Sequence, residues 1–573
     1  MNLMKLIKEK EKILTYFGIL LIALGLILNE YLLTALMSED GKIMFSSKLI
    51  IRFFDLALIT LGLLLVVFRN LMIFGLILFL IAIVLFIPLA ISFFYPIELE
   101  ARESTLWLHV LTMKAGINIY DDTLVAYANQ AHGPMDPIIK YLLSTIFPFL
   151  KPWQISRLPN LLLFISILAI NYLVLKNTKN KTYRVLITVS ISIIYYSLLF
   201  IFTSRLAGRA DVTALLFTNF LCMNITNRDI YNKLPNTIYS IILSSTIILI
   251  NWRFMPLILT VLSYPITIKF FNFTSLSKIN YKRWLLYVFV FFLPFIIILI
   301  FQFNFNIQKY YKYFIEFFYF DAHFSKSHYY KGIKLLVSQD IFVILSIYSF
   351  LILTFLYYNL KNNNNYHLYK IIILFIFIYL ITTIQFLYNY VGGGMYYFTP
   401  VIVFLWLLLI DLFKNNSIII MQRINIVLCF FIVIISTILI TFSLKLSIVL
   451  STRLINTFPK AIEINYYFTK LTSDNIVLSE SIHFHKIKYD NETIDIGDLL
   501  SYRSHQMGGN YNRTYLSHLE DVKHGKYDYI IHNFTGSSII NDLIDNNTYK
   551  EVRKISVFSG LRTITILKRF CFN

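Results

Sequence analysis

The stretch RESTLWLHVLTMKAGINIYDD occupies residues 102–122 and follows closely on a long uncharged segment. Residues 70–97 carry no charged side chain, whereas a helix needs only about 20 apolar residues to cross a bilayer. The quoted stretch then supplies a carboxylate, a histidine and a turn built from Gly, Tyr and Asp. A hydrophobic span that ends in acidic and polar residues indicates a helix that leaves a membrane into a functional loop.

The composition of the whole chain supports this interpretation. Of 573 residues, 57% are hydrophobic and 14% are charged, and the apolar residues recur in blocks long enough to cross a bilayer. The net charge of +20 lies mainly in short loops between these blocks, which is typical of cytoplasmic loops and speaks against a nucleic-acid partner. Three cysteines indicate neither a disulfide framework nor a metal cluster. We therefore predict a polytopic membrane protein of the all-α class.

About thirteen hydrophobic blocks are predicted to be transmembrane helices. They lie near residues 13–35, 50–68, 70–94, 155–175, 185–203, 210–226, 236–250, 255–272, 284–302, 341–359, 370–390, 397–413 and 423–444. With the Lys-rich N-terminus inside, alternation places every basic loop in the cytoplasm: 176–184, 227–233, 278–283, 361–370 and 414–423. The first block lacks a cleavage site and is expected to be retained. The sequence thus predicts a multi-pass protein of the plasma (inner) membrane.

The same threading gathers the remaining loops on the outer face, together with the tail from about residue 445. After Ser473 the hydrophobic runs shorten to strand length, which predicts a small C-terminal extracytoplasmic α/β domain. Its expected elements are a parallel crossover pair, a helix at 513–525 and a hairpin around Gly560; the four strands are 475–480, 527–533, 554–560 and 562–569.

Three parts of the chain follow from this threading. Residues 1–69 would form a cytoplasmic stub and two extra transmembrane helices. Residues 70–444 would form a catalytic membrane core with outer loops at 95–153 and 303–340, and residues 445–573 the outer domain.

The first outer loop holds the candidate catalytic residues. Glu98, Glu100 and Glu103 precede a segment with helical apolar spacing, and a second amphipathic segment follows at 131–143. A carboxylate held at the membrane surface can act as a general base on an acceptor hydroxyl or amine. The alternative is that these carboxylates only stabilise the N-terminal end of a helix through its dipole.

Several motifs share one order and one side of the membrane. They are Glu103 with Trp107, Leu108, Gly116 and Tyr120 in the first loop, His132-Gly133-Pro134, GRADVTALLF at 208–217, NWRF at 251–254 and YYFTP at 396–400. From about residue 70 onward the sequence resembles the GT-C glycosyltransferases that use polyprenyl-phosphate sugars, which include protein O-mannosyltransferase and aminoarabinose transferase relatives. His132 departs from the Tyr-Gly-Pro typical of that family, so the role of this position stays open.

The resemblance implies a glycosyltransferase that takes a sugar from a polyprenyl-phosphate-linked donor and gives it to a glycan, lipid or protein acceptor. By spacing to Gly116, Glu103 ranks first as the base, then Glu100 and Glu98. The donor phosphate and sugar would be bound by residues of the outer turns: Arg205, Arg209, Asp211 and Arg253, with His132, Tyr396 and Tyr397. The alternative for Asp211 is a helix-start carboxylate with a local salt bridge, and the alternative for Arg253 is a snorkelling arginine at the membrane interface.

The outer loop at 303–340 supplies further candidates, Asp321, His323 and His328, which we expect to lie on a segment that covers donor or acceptor. They have no metal-ligand motif, so a divalent metal stays open without support from a ligand pattern, and no other cofactor is predicted. Two other functions remain open. A lipid-linked oligosaccharide polymerase or ligase would have a similar topology, whereas a transporter or flippase would carry midplane charges and internal repeats, and neither is visible here.

Overall fold

The computed structural model describes a large part of the chain beyond residue 70. The described residues are 71–99, 101–118, 134–175, 181–203, 206–226, 234–251, 254–255, 257–258, 281–303, 306–308, 340–361, 367–388, 395–415, 423–479, 483–485, 520–532, 548–557 and 562–570, with isolated positions between 16 and 62. The predicted stub and the first two helices, and nearly all of the loop at 303–340, therefore lie outside the described residues.

Helices dominate the described residues. They are α1 (Leu71–Phe94), α2 (Ala101–Lys114), α3 (Met135–Ile146), α4 (Pro152–Val174), α5 (Lys181–Thr203), α6 (Ala210–Thr226), α7 (Leu234–Ile250), α8 (Tyr281–Phe303), α9 (Asp340–Lys361), α10 (His367–Tyr388), α11 (Thr399–Asn415) and α12 (Arg423–Asp474). Ten of these coincide with predicted spans, namely all except α2 and α3. The predicted spans 13–35, 50–68 and 255–272 fall mainly outside the described residues, so the count of thirteen stays a prediction.

The composition of the long helices fits a bilayer. Among the described residues, four segments are long and apolar enough to cross a membrane: Gly75–Phe94, Pro152–Val174, Arg184–Ile201 and Ile435–Asp474. Five shorter apolar helical segments accompany them. Large apolar side chains on α1 and α8 are exposed, including Leu76, Phe79, Leu285 and Phe289, as expected for surfaces in contact with lipid.

Two short helices follow α1 in the first predicted outer loop, as the apolar spacing indicated. α2 ends at Lys114, and Gly116, two residues later, has a φ of +74°, the left-handed conformation that favours glycine just beyond a helix C-terminus. α3 is amphipathic, but its polar side faces the protein interior. Asp136 and Lys140 are buried, while Leu142 and Ile146 are exposed. Its apolar side is thus available to lipid, and its charged side faces the protein.

The last helix corrects one boundary. The sequence predicted a span that ends at 444 and a tail that begins at 445, but α12 continues without a break to Asp474 and is 52 residues long. At 1.5 Å per residue this is about 78 Å, more than twice the thickness of the hydrocarbon core. The extension stays helical because Leu454, Ala461 and Phe468 repeat every seven residues on one face, and all three are buried.

A four-stranded sheet follows α12. Its strands are β1 (Val477–Ser479), β2 (Tyr529–His532), β3 (Tyr549–Val557) and β4 (Arg562–Arg569), in the order β1-β2-β4-β3. β1 and β2 are parallel, as expected for a crossover pair, and β3 and β4 form the antiparallel pair expected around Gly560. The structure thus contains the sheet. That the sheet belongs to a separate extracytoplasmic domain remains a prediction.

Candidate functional site

Glu103 lies in the first turn of α2 and is completely buried. Its Oε1 accepts hydrogen bonds from Nε of Arg157 at 2.6 Å and from the backbone N–H of Gly208 at 2.8 Å. Its Oε2 accepts from Nη2 of Arg157 at 2.8 Å and from the backbone N–H of Leu99 at 3.0 Å. A carboxylate offers about four lone-pair positions, so all of them are used in this arrangement.

Arg157, near the start of α4, is as deeply buried as its partner. Beyond its two bonds to Glu103, its Nη1 donates to the carbonyl oxygens of Ser92 and Tyr95, and its Nη2 to that of Ile97, each at 2.6 Å. All five N–H groups of the guanidinium are therefore engaged. The pair thus ties together the end of α1, the turn before α2 and the start of α4.

The carbonyl side of Gly208 is bound by the ammonium group of Lys140. Its carbonyl oxygen accepts from Nζ of Lys140 at 2.9 Å and more weakly from Oγ of Ser156 at 3.4 Å. A Cβ atom at this position would lie 2.0 Å from the carbonyl oxygen of Ser156, so only glycine fits. Lys140 also forms an ion pair with Asp136, at 2.8 Å between two fully buried side chains. The two peptide units that flank the Cα of Gly208 are therefore held between two buried ion pairs, the N–H of one by Glu103 and the carbonyl of the next by Lys140.

The residues after Gly208 form the most polar part of this cluster. Nη2 of Arg209 lies 3.3 Å from Oδ2 of Asp211, which stands in the first turn of α6, and both side chains are buried. Nδ2 of Asn251 donates to Oδ1 of Asp211, so Asn251, the first residue of the NWRF motif, contacts the start of α6. Oγ1 of Thr213 donates to Oδ1 of Asp136 at 2.6 Å, which links α6 to α3.

Glu98 belongs to the same cluster and reaches the C-terminal part of the chain. It is almost fully buried, and its Oε1 accepts a long hydrogen bond of 3.4 Å from the backbone N–H of Phe484. The Phe484 ring packs edge-on against Trp107 with centroids 6.2 Å apart, and the guanidinium of Arg157 lies 5.9 Å from its centre. The segment His483–His485 thus covers the carboxylates of the first loop.

His109, one turn and a half along α2 from Glu103, was not among the predicted site residues. Burial, together with the smaller effect of the Lys140 charge, lowers the pKa of His109 to about 4. The imidazole is therefore neutral near pH 7.

The remaining predicted residues are distributed as follows. Tyr397 is buried in a short 3-10 helix, Met395–Phe398, that leads into α11, with its ring edge-on to Phe386 at 6.2 Å. Tyr396 is in the same turn, and its side chain is not among the described ones. Seven predicted residues fall outside the described residues altogether: Glu100, His132, Arg205, Arg253, Asp321, His323 and His328. Within the described part of the chain, no group of three or more His, Cys, Asp or Glu side chains is placed to hold a metal ion.

Comparisons with known proteins decide the fold. No family model matches the chain, and no curated protein matches it. Two solved structures do, those of ArnT from Cupriavidus metallidurans bound to undecaprenyl phosphate and in the apo state. Each aligns with a TM-score of 0.53 and 10% sequence identity, over 86% of this chain and 98% of ArnT. The chain has the fold of ArnT.

This likeness agrees with the sequence resemblance at the level of the fold alone. With an identity of only 10%, the match to ArnT carries no residue roles. Those roles rest on the cluster around Gly208 and are proposals.

Three charged members of the cluster were not among the predicted site residues. Arg157 stands alone in an apolar span, where an arginine is more often a snorkelling residue, and its partner is 54 positions away. Asp136 and Lys140 carry a local signal, since opposite charges four residues apart on a predicted helix form a pair.

Proposed function

We propose that this chain is an integral-membrane glycosyltransferase that moves a sugar from a polyprenyl-phosphate-linked donor to an extracytoplasmic acceptor. One observation carries the proposal. In a chain with the fold of ArnT, a buried arginine and aspartate, Arg209 and Asp211, lie at the start of a membrane helix beside the first-loop carboxylates. ArnT has been crystallised with undecaprenyl phosphate, which is the kind of lipid phosphate that such a site would bind.

The proposed reaction requires two kinds of protein group, a base for the acceptor and cations for the departing phosphate. The acceptor oxygen or nitrogen attacks the anomeric carbon, and the bond from that carbon to the phosphate oxygen breaks with its electron pair leaving on the lipid phosphate. A carboxylate takes the acceptor proton, and guanidinium groups stabilise the departing phosphate. Arg209, together with Arg205 and Arg253, is our choice for the phosphate because a guanidinium stays charged and presents a planar fork. Attack opposite the leaving group inverts the anomeric centre.

The base is one of the first-loop carboxylates. Glu103 already accepts four hydrogen bonds, so in this arrangement no lone pair is left for an acceptor proton. This saturation favours Glu98 or Glu100 as the base. Asp211 would orient Arg209 or contact the sugar. Protein residues alone supply the proposed chemistry, and no metal enters it.

The test is transfer by purified protein. The protein is reconstituted in liposomes and incubated with a panel of radiolabelled polyprenyl-phosphate sugars and membrane extract as the acceptor source. We expect label to move from the lipid phosphate to the extract with at least one donor. An oligosaccharide polymerase would instead require a whole lipid-linked oligosaccharide, which is included as a separate donor. Failure with every single-sugar donor contradicts the proposal.

A further inference from the structure

We infer that Glu103 and Arg157 form a positioning pair that fixes the loop 206–209 and thereby the donor-binding group Arg209, so that Glu103 is not the proton acceptor. This inference rests on the proposed function for the meaning of the donor site. The loop contacts themselves do not depend on that function.

The first support is the way the loop is held. Its peptide groups are anchored by side chains from three helices: Glu103 on α2 binds the N–H of Gly208, Lys140 on α3 binds its carbonyl, and Asn160 on α4 binds the carbonyls of Leu206 and Ala207 at 2.8 and 3.1 Å. Every one of these side chains is buried. A loop with this many buried anchors has one defined conformation, since each anchor would be left unpaired in any other.

The second support is the sequence position of the anchors. Arg209 follows Gly208 directly. Glu103 holds the N–H of Gly208, and Lys140 holds the carbonyl of the peptide that joins Gly208 to Arg209, so the two contacts together set where the Arg209 backbone starts. The backbone N–H groups of Val212 and Thr213 bond back to the Arg209 carbonyl at 3.1 and 3.4 Å, which joins the loop to the first turn of α6. A shift of Gly208 is therefore transmitted to Arg209 and to the beginning of α6.

The third support is the tight fit of Gly208 against α4. A Cβ atom would approach both the carbonyl oxygen and carbon of Ser156, at 2.0 and 2.3 Å. The loop backbone thus lies directly on the backbone of α4, one residue before Arg157. Glu103 and Arg157 together fasten α2 to this contact, which is the task of a structural clamp and leaves the carboxylate no free position for chemistry.

A proton acceptor and a positioning residue differ in what their loss changes. Loss of a base lowers the rate while donor affinity and loop order stay as they are. Loss of a clamp loosens the loop, weakens binding of the lipid phosphate and leaves the pH dependence of the residual transfer unchanged. The variant Glu103→Gln separates the two, because the amide keeps the shape of the side chain but carries no charge.

The experiment measures three quantities on the full chain in detergent: hydrogen exchange of the amides of residues 206–212, affinity for undecaprenyl phosphate, and the pH profile of sugar transfer. For Glu103→Gln we expect faster exchange and an affinity loss of about tenfold, the worth of one charge-assisted hydrogen bond. Arg184→Met is the matched control. Arg184, near the start of α5, donates to the hydroxyl of Tyr172 at the end of α4 opposite to Arg157, so its loss should change none of the three quantities.

Asn160→Ala is the second variant in case Glu103→Gln does not fold. It removes an anchor of the same loop without removing a charge, and we expect faster exchange with a smaller affinity loss. Parental exchange and affinity in Glu103→Gln, with transfer abolished, would make Glu103 the base and overturn the inference. Faster exchange with unchanged affinity in both variants would overturn it too. If the parent transfers no sugar while exchange and affinity change as expected, the proposed function fails and the clamp stands.

Discussion

Replacing Arg157 by Met tests the buried pair most severely. The substitution keeps much of the side-chain length but removes all five donors, and it leaves the Glu103 carboxylate buried without its counter-charge. Breaking one side of a buried ion pair costs about 3–5 kcal/mol. The carbonyls of Ser92, Tyr95 and Ile97 lose their partner as well, at about 1 kcal/mol or more for each that water cannot reach. The expected loss is about 5 kcal/mol, which approaches the whole stability of many domains.

The double variant Arg157→Met/Glu103→Gln supplies the sharper comparison. The amide oxygen of Gln can still accept from Gly208, and no uncompensated charge is buried. We therefore expect the double variant to be about 2 kcal/mol more stable than Arg157→Met alone, although it carries one more substitution.

Thiol labelling on heating provides the assay. Cys222 is buried in α6, so in a background of Cys429→Ser and Cys571→Ser its modification by a fluorescent reagent reports unfolding. Arg184→Met again serves as the control and should unfold like the parent. A double variant no more stable than Arg157→Met, or a loss in Arg157→Met of less than about 1 kcal/mol, would refute the reasoning about this pair.

Three further predictions follow from the same structure. Of the variants Glu98→Gln and Glu100→Gln, the one that removes the base should lower the rate of transfer by about a hundredfold to ten-thousandfold while undecaprenyl phosphate still binds. Parental rates in both variants would show that neither carboxylate is the base. Because the pKa of His109 is lowered to about 4, the unfolded chain binds more protons below pH 6.5, and stability should fall by about 2 kcal/mol between pH 7.5 and 5. His109→Phe should remove that part of the pH dependence, measured by the same thiol labelling, and an identical slope would contradict it. A phosphatase reporter fused after Asp474 should be active outside the cytoplasm, and cytoplasmic activity would reverse the predicted topology.

The hydrophobic pattern was enough to predict ten long helices and the two loop helices of the described residues, because burial in lipid and in protein both demand apolar runs of defined length and spacing. The extension of α12 was not predicted, because Lys445 interrupts the apolar run that defines the membrane span. The seven-residue repeat of Leu454, Ala461 and Phe468 was the signal for a helix continuing beyond the membrane. Arg209, Asp211 and Asn251, which belong to two of the quoted motifs, lie together in the structure.

The function of Glu103 shows what one sequence leaves open. Its spacing to Gly116 singled it out, but spacing cannot distinguish a base from a buried ion-pair partner. The distinction depends on Arg157 and on the backbone of Gly208, which are 54 and 105 positions away along the chain. Contacts between such distant positions come from the packing of α2 against α4 and the loop before α6, and that packing is not encoded in any local pattern.

The central claim is that a lipid-phosphate sugar donor binds at the loop that carries Arg209. The most direct measurement is transfer of radiolabelled sugar from a polyprenyl-phosphate donor by reconstituted parent protein and by Arg209→Met, with binding of undecaprenyl phosphate measured on the same samples. We predict that the parent binds the lipid phosphate and transfers label, and that Arg209→Met, folded by the thiol assay, loses most of both. Equal binding and equal transfer by the two proteins would contradict the account.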